Sequence, residues 1–179
     1  MTGGHAYIDE SAQHDYLVVC SVVASDNVTD ARRTMRGLLL PGQRSVHMKD
    51  EKKPGRQRQI IQTVTSLDVV VTVYCARPSD HRGQCGARDV CLQQAAADGV
   101  ISGIQRMVLD RNQSYEQRDK RSIIVGSTST GASHVPFTYH HMARHEEPLL
   151  WIPDVIGWCY ARGGAWRTEV APSVQVKQL

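Results

Sequence analysis

Residues 5–24 read HAYIDESAQHDYLVVCSVVA, and this stretch decides the fold. His5 to Glu10 has the make-up of a short strand, and Tyr16 to Ala24 is a strongly apolar, β-branched one. Only a turn through Gln13, His14 and Asp15 separates them. A parallel pair needs a crossover of a dozen or more residues, so these two strands are expected to lie antiparallel. Outward from the pair, Asn27 or Thr29 caps an expected helix running to Leu40, which Pro41 and Gly42 end. Ser45 to Lys49 reads as a third short strand. Ile60, Ile61, Val64 and Leu67 give Arg56 to Leu67 the spacing of an amphipathic helix. Asp68 to Ala76 is nearly all apolar, which predicts a central strand covered on both faces.

Beyond it, helices and strands alternate. A helix is predicted over Arg88 to Ile104, a strand over Arg106 to Asp110, and a helix over Tyr115 to Ser127 that Gly126 weakens. Val135 to His140 reads as a strand that Pro136 confines to an edge or end. A last helix spans Pro148 to Arg162 and stops at Gly163 and Gly164. From Thr168 to Leu179 the tail shows no pattern. The order predicts an α/β domain: a mixed sheet with early antiparallel strands, later parallel ones, and helices on both faces.

At 179 residues the chain suits a single domain, 1–179, with its core at about 5–163. No run approaches the roughly 18 uninterrupted apolar residues of a membrane span, and Met1 to His5 lacks the basic and apolar regions of an export signal. Five scattered cysteines, Cys20, Cys75, Cys85, Cys91 and Cys159, have no zinc spacing. Reduced thiols and a cytoplasmic address are expected. A net charge of +3 is too small to argue nucleic-acid binding by itself. Sixteen of the 21 basic residues are nonetheless arginine, the side chain suited to bidentate phosphate contacts.

Three acids stand at the ends of apolar segments: Asp9 after Ala6 to Ile8, Asp110 after Met107 to Leu109, and Asp154 in the first turns of the last helix. A carboxylate continuing a buried strand is costly unless it is paired or binds a cation. Brought together, three of them suit one or two hard divalent ions such as Mg²⁺ or Mn²⁺, which prefer oxygen ligands. Without an ion they would repel one another, and one carboxyl would hold its proton more tightly.

These residues carry a resemblance. Tyr7-Ile-Asp-Glu-Ser11, Val108-Leu-Asp-Arg111 and Glu147-Pro-Leu-Leu-Trp-Ile-Pro-Asp154 are similar, over roughly residues 5 to 163, to domain-of-unknown-function family 3800. That family has a ribonuclease H-like fold. The resemblance implies that Asp9, Asp110 and Asp154 line a metal site with Glu10 beside them, and a bacterial protein in a defence or toxin setting. Two positions depart from the family pattern: Ala12 stands where Gly is usual, and Pro153 precedes Asp154. For a fourth acidic ligand, Glu10, Asp50 and Glu51 compete, although strand alternation turns Glu10 away from Asp9.

Lys52-Lys-Pro-Gly-Arg-Gln-Arg58 is the densest basic stretch and runs into a helix amino end. Lys52, Lys53, Arg56 and Arg58 are therefore the candidate nucleic-acid contacts. His140 and His141 open a run that ends in His145, and with His47 they are candidates for proton transfer or phosphate contact. A zinc pair at His141 and His145 lacks a third ligand, so the run reads as a polar loop beside the site. Trp151 and Trp158, seven apart on the last helix, read as core or as a homodimer contact. Phosphate-loop and nucleophile-elbow patterns do not occur. The expectation is a divalent-metal-dependent nuclease cleaving RNA or DNA. The alternative is an inactive module of the same fold that docks a protein or nucleic-acid partner.

Overall fold

The computed structural model describes residues 3–12 and 14–179, so Met1, Thr2 and Gln13, which the sequence places in an expected turn, lie outside the described residues. Among the described residues six strands form one sheet: β1 (Gly4–Ala12), β2 (Tyr16–Ala24), β3 (Val69–Ala76), β4 (Arg106–Asp110), β5 (Thr138–Met142) and β6 (Val174–Gln178). Their order across the sheet is β5-β4-β1-β2-β3-β6. β1 pairs antiparallel with β2, as their tight connection dictates, and β2 pairs antiparallel with β3. The β1–β4, β4–β5 and β3–β6 pairs are parallel.

Alternation along each strand feeds two cores. One face carries Tyr7, Val19, Val73 and Val108, covered by α1 (Val28–Arg36), α2 (Pro54–Thr65) and α5 (Trp151–Arg162). The other carries Ile8, Val18, Tyr74 and Leu109, covered by α3 (Gln84–Ser102) and α4 (Glu116–Ser129). Gly126 makes the second layer possible. A Cβ there would lie 2.0 Å from the carbonyl oxygen of Gln93, so α4 can approach α3 this closely only at a residue without a side chain.

Four sequence expectations are corrected. Ser45 to Lys49 forms turns, not a strand. Val46 and Met48 are buried, so the apolar alternation is real, but it anchors a loop to the core. The first helix ends at Arg36, and Asn27 donates to Asp68 Oδ2 at 3.2 Å in place of capping it. β3 lies one place in from the edge and is covered on both faces from Val73 to Ala76, but not at its start, where Val70 is 58% exposed. The tail is structured: α6 (Gly164–Val170) leads to β6, which adds an edge strand to β3. Its alternation is too polar to register as a strand in isolation.

The start of α5 is firmly seated. Glu147, buried, accepts from the Leu149 amide at 3.2 Å and pairs with Arg32 at 2.5 Å. A 3-10 turn, Pro148–Leu150, precedes the helix, so Pro153 lies in its first turn, where no intrahelical donor is lost. Pro153 is thus compatible with Asp154 facing the sheet.

Candidate active site

Asp9 sits on β1 opposite Val19, and Asp110 ends the neighbouring strand β4, one residue past the Ile8–Leu109 pair. Both belong to the face that α5 covers. Asp154, in the first turn of α5, reaches the same place from above. Together with His47, they line one open cavity of about 510 Å³.

The cluster is tied to its surroundings by specific bonds. Asp154 Oδ1 lies 2.9 Å from His47 Nδ1, and its Oδ2 accepts from the Met48 amide at 2.9 Å. Asp9 Oδ1 accepts from the Glu10 amide at 2.8 Å. Burial first, then the charges of Asp154 and Asp110, push the Asp9 carboxyl up to about 8, against the opposing pull of Arg144 and His47.

Arg144 was not a sequence candidate, yet it stands among the three acids. Its Nη2 lies 2.5 Å from Asp110 Oδ2 and 3.9 Å from Asp9 Oδ2, and its Nη1 is 3.5 Å from Asp154 Oδ1. It also touches His47. Burial disfavours its charge, but the three carboxylates outweigh burial and hold it protonated. The only sequence signal was its place in the polar run from His140 to His145.

The other candidates divide. Glu10 borders the cavity but points to the opposite face, where it pairs with Arg88 and receives a 3.4 Å contact from Asn112. Asp50 is exposed, and Glu51 faces Arg56 at 4.0 Å and Gln43 at 3.4 Å, so neither joins the cluster. Of the three histidines only His47 lines the cavity. His140 is exposed on β5, and His141 lies 2.9 Å from Asp119 on the far face.

In the basic run, Lys52, Lys53 and Arg58 are exposed, whereas Arg56 turns inward to the Leu38 carbonyl and Gln59. Lys49, which the sequence reading passed over, lines the carboxylate cavity. With Lys52 it also borders an adjoining cavity of about 230 Å³ walled by Trp158 and Trp166. The two tryptophan rings meet edge-on at 5.3 Å, and Arg162 lies 5.1 Å over Trp158. Trp151 is 1% exposed and donates to the Arg144 carbonyl at 2.7 Å. It therefore belongs to the core, the first of the two expectations for it, and offers no surface to a second subunit, whereas Trp158 is partly exposed.

No protein-family model and no curated protein matches the chain, which leaves the resemblance to family 3800 neither supported nor opposed. Solved structures do match. Ribonuclease HII of Archaeoglobus fulgidus, in a structure of its complex with PCNA, aligns with a TM-score of 0.54 at 16% identity, covering 89% of this chain and 73% of that one. The fold is ribonuclease H-like. A point mutant of Bst ribonuclease HIII aligns with a TM-score of 0.53 at 12% identity, over 87% of this chain and 51% of that one. This chain thus spans about three-quarters of the first and half of the second.

As donors, three carboxylates suit a hard divalent cation. As arranged here all three contact Arg144, and among the described residues no three His, Cys, Asp or Glu side chains stand in the geometry that would hold an ion. No helix of the described residues is long and apolar enough to cross a membrane.

Proposed function

We infer that this chain is a divalent-metal-dependent nuclease that hydrolyses phosphodiester bonds in RNA or DNA, and that it belongs to family 3800. The observation that supports the reading most is the meeting of Asp9, Asp110 and Asp154, from two adjacent strands and a helix, in one open cavity of a ribonuclease H-like fold. Mg²⁺ or Mn²⁺ bound there would lower the pKa of an attacking water and stabilise the leaving oxygen. Asp9, Asp110 and Asp154 would hold the ion, Asp9 being the most buried of the three.

The rest falls to the chain's own side chains. His47 is fixed against Asp154 on the cavity wall and can move a proton there. Lys49 and Lys52 lead from the carboxylates into the adjoining groove and would hold the phosphates of a strand, with Lys53 and Arg58 adding charge from the α2 start.

A second reading has its own observation. Arg144 neutralises the cluster in the manner of a permanent counter-charge, as in an inactive domain that docks a protein or nucleic acid. Cleavage of labelled RNA, DNA and hybrid with Mg²⁺ or Mn²⁺ separates the two. The nuclease reading expects cutting that Asp9→Asn abolishes and EDTA stops. Wild-type protein that binds a strand and never cuts it, or Asp9→Asn protein that cuts as well as wild type, rejects it.

A further inference from the structure

The nuclease reading has no use for Arg144 where it stands. Its guanidinium contacts Asp110, Asp154 and Asp9 at 2.5, 3.5 and 3.9 Å, across the oxygens that a divalent cation would share. Its main chain is fixed by the buried Trp151 indole, which donates to the Arg144 carbonyl at 2.7 Å. Its side chain remains 27% exposed and lines the open cavity, so a change of rotamer has open space to move into. A guanidinium and a hard divalent ion cannot occupy the same lone pairs, and their like charges repel.

We propose that Arg144 is a tethered counter-ion. It closes the carboxylate cluster when no divalent cation is bound, competes with that cation for Asp9, Asp110 and Asp154, and swings to the cavity wall when the cation enters. The proposal rests on the metal-site reading given above. The apparent affinity for the ion is then the intrinsic affinity reduced by the fraction of molecules in which Arg144 has left. Displaced, the guanidinium would join Lys49 and Arg111, which line the same cavity and would meet a substrate phosphate there.

The test is Mn²⁺ binding to metal-free protein, by calorimetry and by electron paramagnetic resonance of the free ion. Arg144→Gln should bind Mn²⁺ at least about ten-fold more tightly than wild type. Arg144→Lys, which keeps the charge, should stay within about three-fold of wild type. Arg111→Gln controls for charge alone. It removes a cation from the same cavity, but one that faces Glu146 at 3.4 Å and the His141 carbonyl at 3.2 Å, so its effect should be under about three-fold.

Equal or weaker binding by Arg144→Gln, or an equal gain in Arg111→Gln, overturns the proposal while leaving the metal site standing. Absence of binding in both wild type and Arg144→Gln to about 10 mM Mn²⁺ overturns the metal reading as well. Binding by Arg144→Gln alone upholds the counter-ion and rejects the metal-dependent nuclease.

A measurement on wild-type protein covers the case in which the variant fails to fold. An arginine-selective dicarbonyl reagent, read by mass spectrometry, should modify Arg144 faster with Mn²⁺ than without it. Unchanged or slower modification overturns the proposal.

Discussion

The Met48 amide donates to Asp154 Oδ2 at 2.9 Å, joining a loop to a helix 106 residues further along the chain. His47, the preceding residue, meets the other oxygen of the same carboxylate at 2.9 Å. One acid therefore anchors the loop that carries His47 and Lys49 to the cavity. Asp154→Ala leaves a largely buried amide without its acceptor, at a cost of about 1–3 kcal/mol. Hydrogen exchange at Met48 should accelerate in that variant, whereas Asp110→Asn, which leaves the acceptor in place, should keep it protected. Equal exchange rates in the two variants would show that the loop is held by Val46 and Met48 packing alone.

Gly126 and Gly55 form a contrasting pair. A Cβ at Gly126 would meet backbone of α3, at 2.0 Å from the Gln93 oxygen, where nothing flexible can yield. Gly126→Ala should cost about 1–3 kcal/mol or more. At Gly55, in the exposed first turn of α2, a Cβ would have nothing within 4 Å, so Gly55→Ala should stabilise by about 0.4–1 kcal/mol. Urea denaturation of both variants checks the two signs.

Both glycines were legible as letters, but only one as a problem. Gly126 read as a weakness of a single helix, because the approach of α3 is a property of the fold and not of the segment. The same limit explains the site. Asp9, Asp110 and Asp154 stood out because each borders an apolar run, a pattern visible along the chain. Arg144 follows only the short pair Met142-Ala143 in an otherwise polar run, and its meaning comes from contacts with residues 135 and 34 positions away in sequence. Ser45 to Lys49 shows the reverse failure: buried Val46 and Met48 imitate strand alternation while belonging to a loop pinned by Asp154. β6 escaped notice because an edge strand beside β3 needs little apolar character of its own.

Arg88 and Asp119 form a buried bidentate pair at 2.8 and 2.9 Å on the face away from the cavity. Tyr16 lies 3.0 Å from Arg88, while Glu10 pairs with it and His141 with Asp119. Burial raises the Asp119 carboxyl, but bonds from His141 and Arg88 together outweigh it and hold it below the ordinary range. Its stabilising share is present above the unfolded pKa of 3.8 and is lost as pH falls through the lower folded value. Arg88→Met should cost about 3–5 kcal/mol by stranding Asp119, and adding Asp119→Leu should recover most of that. Strictly additive costs in denaturant would mean that the pair acts as two independent side chains.

Asp9 has the opposite sign. Burial and the neighbouring Asp154 and Asp110 raise its carboxyl from 3.8 to about 8 in the metal-free fold. Between those values the folded protein holds a proton that the unfolded chain has released, so stability should fall as pH rises across the window. This opposes the usual gain of carboxylate-rich proteins over the lower half of that range, so the comparison must be with a variant. Asp9→Asn has no proton to lose and keeps the shape of the side chain. Its melting temperature, measured in EDTA, should therefore decline less than wild type between about pH 5 and pH 8. Mn²⁺ binds the ionised carboxylate, so adding it to wild type should release a proton near pH 7 and remove much of the decline. Parallel melting curves for wild type and Asp9→Asn in EDTA would place the Asp9 pKa in the ordinary range and remove the electrostatic strain attributed to the cluster.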